Sequence, residues 1–326
     1  MKKYLLVTLL LNLLISASVD AQGLLGLFGG GETKKAIRVE FIEGDNDADE
    51  EILLIRINGV IQEREEDDSI PFKAGKDPME SLKKDLEAAR KRKAIKAVLV
   101  EINSPGGEVT ASDIMYHQIK KMRDETDKPV VAIIGSMGAS GAYYVACAAD
   151  RILAHPTSIV GSIGVLMQAM NIQQLAEKLG LKAVTLKSDK TPMKDVLSPF
   201  KEMTEAERTM LLQIINGVYD RFIDIVAGSR KLERDAVIKL ADGGIYTASR
   251  AKEAGLIDEI GYREDAMAEA CKLAKIESAA LVKRVTKKGF AELWSDMSQM
   301  NSGLPALLSE IKTLLNYGAT PILMYK

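Results

Sequence analysis

Three short stretches carry residue types that can do chemistry together: NSPGGEV at 103–109, MGASGAYYVACAAD at 137–150 and KSDKTPMKDVLSPFKEMT at 187–204. In the second, Ser140 stands among small residues at the start of a helix with almost no charge, in a chain that is 28% charged. A hydroxyl there is a nucleophile lying beside unpaired backbone N–H groups, or a plain helix cap, since serine leads the N-cap preferences. In the first, a glycine pair follows an apolar strand and precedes a helix. That leaves bare N–H groups suited to an oxyanion hole or an anion nest, and suits an ordinary turn equally.

A serine nucleophile needs a base, and the usual one is histidine. The chain has two. His117 lies on the polar side of a helix spanning 109–125, with Lys120, Lys121 and Asp124, opposite a stripe of Ala111, Met115, Ile119 and Met122, and reads as a solvated surface residue. His155 precedes Pro156 at the exit of a strand and is a weak candidate. The other base open to serine is a lysine kept neutral by burial, because desolvation disfavours the ammonium. Lys187, Lys190, Lys194 and Lys201 lie in one loop stiffened by Pro192 and Pro199. The residues alone do not choose among them.

These pieces must be positioned by a scaffold, and its pattern is readable. Apolar runs (ILLIRINGVI, KAVLVEI, PVVAIIG, RILA) alternate with helical patterns (MESLKKDLEAARK, SDIMYHQIKKMRDE, the Ser140 helix). The alternation predicts an α/β fold, a mostly parallel sheet with crossover helices whose central strands are buried on both faces. A strand is expected at KAVTLK before the lysine loop. A long helix follows from about 203, opened by a Thr204/Glu207 capping box, and a further helix ends at Gly255.

Composition sets the outer bounds. Lys+Arg 44 against Asp+Glu 46 gives a net charge of −2, with no field favouring nucleic acid. Cys147 and Cys271, both in alanine-rich helical patterns, read as free thiols and make no disulfide framework. No HExxH and no GxxxxGK[ST] occurs, so neither a metal nor a nucleotide cofactor is expected. At the N-terminus, MKK followed by YLLVTLLLNLLISA, with Val19 and Ala21 fitting a cleavage site, predicts a signal peptide or an N-terminal membrane anchor over 1–28. GLLGLF at 23–28 extends the apolar run, Lys2 and Lys3 keep the N-terminus inside, and no cysteine for a lipid anchor follows. Residues 29–50 then read as a flexible polar linker, 51–280 as the folded domain with folding starting near Ile52, and 281–326 as a C-terminal extension with an amphipathic LPALLSEIKTLL at 304–315.

The order INSPGG, GSMGASGAYY, ADRILA, TSIVGSIGV, MKDVLSPFKEMT, IYTASRAKEAGLIDEIG resembles the signal peptide peptidase A family, related to protease IV, over about residues 50–275. The resemblance implies a Clp protease/crotonase-like fold of repeated β-β-α units and a serine endopeptidase that needs no cofactor. It implies Ser140 as nucleophile, Lys194 as general base, the backbone N–H groups of Gly107 and Gly141 as oxyanion hole, and Ser162 as the hydroxyl orienting the lysine. The lysine loop carries extra residues relative to the family's shorter pattern; KD and the downstream SP favour Lys194 over Lys190. The resemblance further implies peptide substrates such as signal-peptide remnants, cleaved on the outer face of a bacterial cytoplasmic membrane by a ring-like homo-oligomer held through the N-terminal segment. A crotonase-like acyl-CoA enzyme would share the oxyanion geometry, but coenzyme A is cytoplasmic and this chain carries an export signal. A silent scaffold of the same fold is disfavoured by the presence of both Ser140 and Lys194.

Overall fold

In a computed structural model, which describes residues 37–63, 78–285 and 323–325, the apolar runs form one twisted sheet with helices against it. In chain order the elements are β1 (Val39–Gly44), β2 (Glu51–Asn58), α1 (Pro78–Lys91), β3 (Ile95–Ser104), β4 (Gly107–Glu108), α2 (Val109–Thr126), β5 (Val130–Ala139) and α3 (Gly141–Ala146). Then come β6 (Arg151–Ala154), β7 (Ile159–Gly161), β8 (Leu166–Met167), α4 (Gln173–Lys178), a 3₁₀ turn (Pro192–Asp195), α5 (Glu205–Arg230) and α6 (Arg234–Leu240). The rest are β9 (Ile245–Thr247), α7 (Ala248–Glu253), β10 (Glu259–Ile260), α8 (Arg263–Ala274), β11 (Ala280–Arg284) and β12 (Leu323–Tyr325).

The main sheet runs β1-β11-β2-β3-β5-β6-β10, with β7 on β5 and β9 on β7. Every pair from β11 to β10 is parallel, and β1–β11 and β7–β9 are antiparallel. This is the mostly parallel, helix-flanked α/β architecture expected from the sequence. Strands β2, β3 and β5 are buried along most of their length, as continuous apolar runs covered on both faces must be. One face packs Ile52, Leu54, Leu99 and Val131 under Ala266 and Ala270 of α8. Small residues at those two positions let the helix lie close to the strands.

Helix α2 buries Ala111, Ser112, Met115, Ile119 and Met122, the stripe its spacing predicts, and leaves His117 exposed. Helix α5 opens with the expected reciprocal cap: Thr204 Oγ1 accepts from the Glu207 N–H, and Glu207 accepts from the Thr204 N–H. The helix expected to end at Gly255 is α7, with Gly255 just beyond it at φ +73°.

Two local readings of the sequence are corrected. Residues 39–44, read as part of a flexible 29–50 linker, form β1, paired from Val39↔Arg284 to Gly44↔Ala280 on β11, so the fold begins before Ile52. Acidic composition hid this strand, whose partner lies some 240 residues away. KAVTLK is no strand: Val184 is 74% and Leu186 93% exposed, and no sheet edge meets them among the described residues. The 1–28 segment and the amphipathic 304–315 stretch lie outside the described residues. Among those described, no helix is long and apolar enough to cross a membrane.

Candidate active site

Strand β5 is long enough to serve two partners. Its first half pairs with β6 and its second half, Met137–Ala139, with β7 in register Ala139↔Gly161. The strand then stops, and α3 begins one residue later. Ser140 is the hinge, at φ 55° and ψ −122°, a region that L-residues with a Cβ avoid. Two backbone bonds hold it there: its N–H donates to Gly161 O at 2.7 Å, and its C=O accepts from the Tyr144 N–H at 3.0 Å, starting the helix. Such strain persists only where surroundings over-determine it, and it clusters at functional sites.

The Ser140 side chain is fully buried, and its Oγ has no hydrogen-bond partner among the described residues. Buried hydroxyls are almost always paired, which sets this one apart. Behind it, every residue of α3 is buried. Tyr143 donates to Leu256 O at 2.6 Å, and Tyr144 donates to Asp113 on α2 and packs its ring, tilted by 58° at 5.1 Å, against Phe222 of α5. Cys147 follows in the same apolar mass, where burial pushes its thiol up to about 11, so it is no competing nucleophile.

The glycine pair arrives from β3. Beside its end the register with β5 shifts, Ile102 facing Ile134 and Ser104 facing Gly138, with the extra residues on β5. Ser104 Oγ then accepts from the Gly106 N–H at 3.1 Å, and Gly106 turns the chain at φ +101°. Ile61 N–H donates to Gly106 O at 2.8 Å and Ile61 O accepts from the Glu108 N–H at 2.7 Å. With its neighbours both turned to Ile61, Gly107 itself presents its N–H to the opposite side. That is the side on which β12 runs, antiparallel, with Tyr325 opposite Gly107. A side chain at 107 would force the backbone to shift, because its Cβ would lie 1.9 Å from Ile61 O.

Gly141 is the first residue of α3, so its N–H has no intrahelical acceptor. A Cβ on it would stand 3.3 Å from Gly107 N and 2.3 Å from Ser112 Oγ. The structure therefore brings Ser140, Gly141 and Gly107 together. Ser162 is buried next to Gly161, the residue whose carbonyl holds Ser140, and its own N–H donates to Gly244 O at 2.7 Å.

The lysine loop sorts its candidates by charge. Lys187 pairs with Asp195 and donates to Pro192 O at 2.7 Å. Lys201 pairs with Glu207 and lies 3.6 Å from Asp195. The hydrogen bond it donates to Glu207 raises the Lys201 ammonium above the ordinary lysine range, and that from Lys187 holds the Asp195 carboxyl below the usual carboxylate range. Both lysines are engaged in ion pairs. Lys190 and Lys194 are exposed, and Lys194 rides the 3₁₀ turn that the Lys187–Asp195 pair closes. Neither histidine hydrogen-bonds Ser140 Oγ, and His155 Nδ1 lies 3.0 Å from Thr157 Oγ1 with its ring edge-on to Tyr262. No cluster of metal-ligating side chains occurs among the described residues.

Sequence reasoning missed Ile61, Ser104, Ser112 and Gly161. Their signals, an apolar residue after a strand and small residues beside glycines, are too common to single out without the fold.

The comparisons agree with this geometry. The family model described as peptidase family S49 matches residues 122–277, a stretch containing Ser140, Ser162 and Lys194. The chain is 34% identical over 248 residues to a putative signal peptide peptidase SppA of Enterococcus faecium, covering 76% of this chain and 71% of that one. A putative protease of Methanocaldococcus jannaschii is 41% identical over 60% of this chain and 62% of its own length. Protease 4 of Salmonella typhi is 31% identical over 84% of this chain but only 44% of its own length. A buried serine on a strained strand-to-helix turn, with Gly107 close to the first residue of the helix, and these matches lead to one assignment: the chain belongs to the signal peptide peptidase SppA family, peptidase family S49, with its Clp protease/crotonase-like fold, and is a serine-type peptidase.

Proposed function

We propose that the chain is an endopeptidase acting through a Ser140/Lys194 dyad on extended peptides. The observation that carries the reading is the buried, unpartnered Ser140 Oγ beside the Gly107 and Gly141 N–H groups. A substrate carbonyl placed there is attacked by Oγ while Lys194 takes the hydroxyl proton. The tetrahedral oxyanion is held by the two N–H groups, the amine leaves with the lysine's proton, and water activated by the same lysine releases the acyl-enzyme. Ser162, near the Ser140 turn, orients the lysine.

Support for an extended substrate comes from the small sheet β4-β12-β8. Between the edges of β4 and β8 there is room for exactly one strand's worth of ladder, filled here by Leu323–Tyr325. A peptide entering by strand addition satisfies its backbone in the same way and brings a carbonyl past Gly107. Beside β8, a cavity of about 350 Å³ lined by Leu166, Tyr219, Ala241 and Asp242 takes a side chain of such a peptide.

A lysine acts as a base near neutrality only when desolvated, and Lys194 is exposed in the single chain. Leu179, Leu181, Val184 and Leu186 on the stretch leading to it are 62–93% exposed. An apolar stretch of this kind marks an interface. Self-association into a ring-like homo-oligomer would cover it and supply the missing burial. With the N-terminal segment as signal or anchor, the domain would act outside the bacterial cytoplasmic membrane, on signal-peptide remnants and other released peptides; no nucleic-acid partner and no cofactor enter.

The test is covalent labelling. A fluorophosphonate should modify the full chain at Ser140 alone, found by peptide mass mapping, and labelling should abolish cleavage of an unstructured fluorogenic peptide. Modification elsewhere, or cleavage that survives full labelling, would overturn the assignment.

A further inference from the structure

Resting on the peptidase reading, we infer that Ser112 is a positioning residue, the spacer that sets the separation of the two oxyanion donors. Gly107 and Gly141 lie on different elements, β4 and α3. Something must keep their N–H groups on one point.

Ser112, in the first turn of α2, is completely buried. Its Oγ donates to Glu108 O at 2.8 Å. Glu108 directly follows Gly107 and is held from every side: its N–H goes to Ile61 O at 2.7 Å, its carboxylate accepts from the Glu63 N–H at 3.1 Å, and its carbonyl takes the Ser112 hydroxyl. The same hydroxyl is also the atom closest to where a Gly141 side chain would be. A Cβ there would meet Ser112 Oγ at 2.3 Å and Ser112 Cβ at 3.2 Å, with Gly107 N next at 3.3 Å. One oxygen thus anchors the strand carrying the first donor and abuts the residue carrying the second.

Residue type supports the role. The other buried positions of α2 are Ala111, Met115, Ile119 and Met122, and alanine in place of Ser112 would be the better helix former. A serine bonding back to its i−4 carbonyl slightly strains a helix. Alanine would remove the hydroxyl's bond to the Glu108 carbonyl and leave a gap beside Gly141, into which either donor can drift.

The experiment compares the full-length wild type, Ser112→Ala and Ser112→Cys for fluorogenic-peptide hydrolysis, inhibition by a peptide aldehyde, and thermal unfolding. The aldehyde forms a tetrahedral adduct on Ser140 and so reports the oxyanion hole in its occupied form. Ser112→Ala should lower kcat about tenfold, less than the 10²–10³-fold typical of losing a whole donor. KM should stay within about twofold, and aldehyde affinity should fall by the same factor as kcat, the signature of an interaction made in the transition state. Ser112→Cys, which refills the gap with a weaker donor, should fall between. Unchanged kcat and aldehyde affinity in Ser112→Ala would overturn the inference. So would losses that merely follow a drop in Tm, with KM and kcat affected alike. A wild type that neither cleaves nor binds the aldehyde would sink the peptidase reading, and this inference with it.

Discussion

The N–H of Ser140 donates to the carbonyl of Gly161 at 2.7 Å, and that bond carries the ladder between β5 and β7 one step past the end of β5. It ties the nucleophile's backbone to the residue before Ser162, so the two hydroxyl-bearing residues expected at the site are set by one strand pairing. The cost is a Ser140 backbone at φ 55°, ψ −122°.

That conformation separates stability from activity. Glycine adopts it freely, whereas a residue with a Cβ in a sparsely populated region costs on the order of 1–3 kcal/mol. Ser140→Gly should therefore be inactive yet at least as stable as wild type, by up to about 1 kcal/mol, while Ser140→Ala should be inactive with stability near wild type. Thermal unfolding beside a peptide-cleavage assay checks both. A Ser140→Gly variant that unfolds several degrees below wild type would show that the hydroxyl, and not the strain, dominates at this position.

Gly107→Ala should fail for a different reason. Its Cβ would fall 1.9 Å from Ile61 O, so the bridge between Ile61 and β4 must open and the donor at 107 must move. We expect about a 10²-fold or greater loss of kcat with a destabilisation of about 1–3 kcal/mol. The reaction of Ser140 with fluorophosphonate, whose phosphoryl oxygen uses the same donors, should slow in parallel. Normal kcat in a folded Gly107→Ala protein would remove this residue from the oxyanion hole.

For the base, Lys194→Ala and Lys194→Arg should both be inactive, because an arginine cannot supply a neutral nitrogen. Lys190→Ala should be near normal. If Lys190→Ala is dead while Lys194→Ala cleaves normally, the longer loop has moved the base. Activity in both, with loss in His155→Ala, would remove the Ser/Lys mechanism altogether.

The Lys201–Glu207 pair gives a stability prediction with a definite sign. The Lys201 hydrogen bond, with the Thr204 N–H behind it, lowers the carboxyl of Glu207. A carboxyl depressed on folding contributes stability that is present above its unfolded pKa, about 4.3, and is lost as pH falls through the folded value. Glu207→Gln can keep the capping box but loses the ion pair. Its Tm should lie below wild type at pH 6–7, and the gap should close as pH drops below about 4. A gap of constant size down to about pH 3 would mean that packing of the buried side chain, not its charge, is what the variant loses.

Much of this was legible in the sequence because the signals were local. Ser140 between glycine and alanine, the Thr204/Glu207 capping box, the α2 stripe and the uninterrupted apolar strands each express a preference acting within a few residues, and each appears where it was read. The order of the motifs sufficed for the family. What tertiary structure alone decided were relations across long separations: β1 recruited by β11, Gly107 and Ser112 brought against Gly141, and Leu323–Tyr325 laid between β4 and β8. It also decided that Lys187 and Lys201 are held as ion-paired cations, leaving Lys194 exposed on its turn. Pairings of this kind have no local signature. They follow from which registers bury the shared core and satisfy every buried backbone group at once, a condition met only by the whole chain.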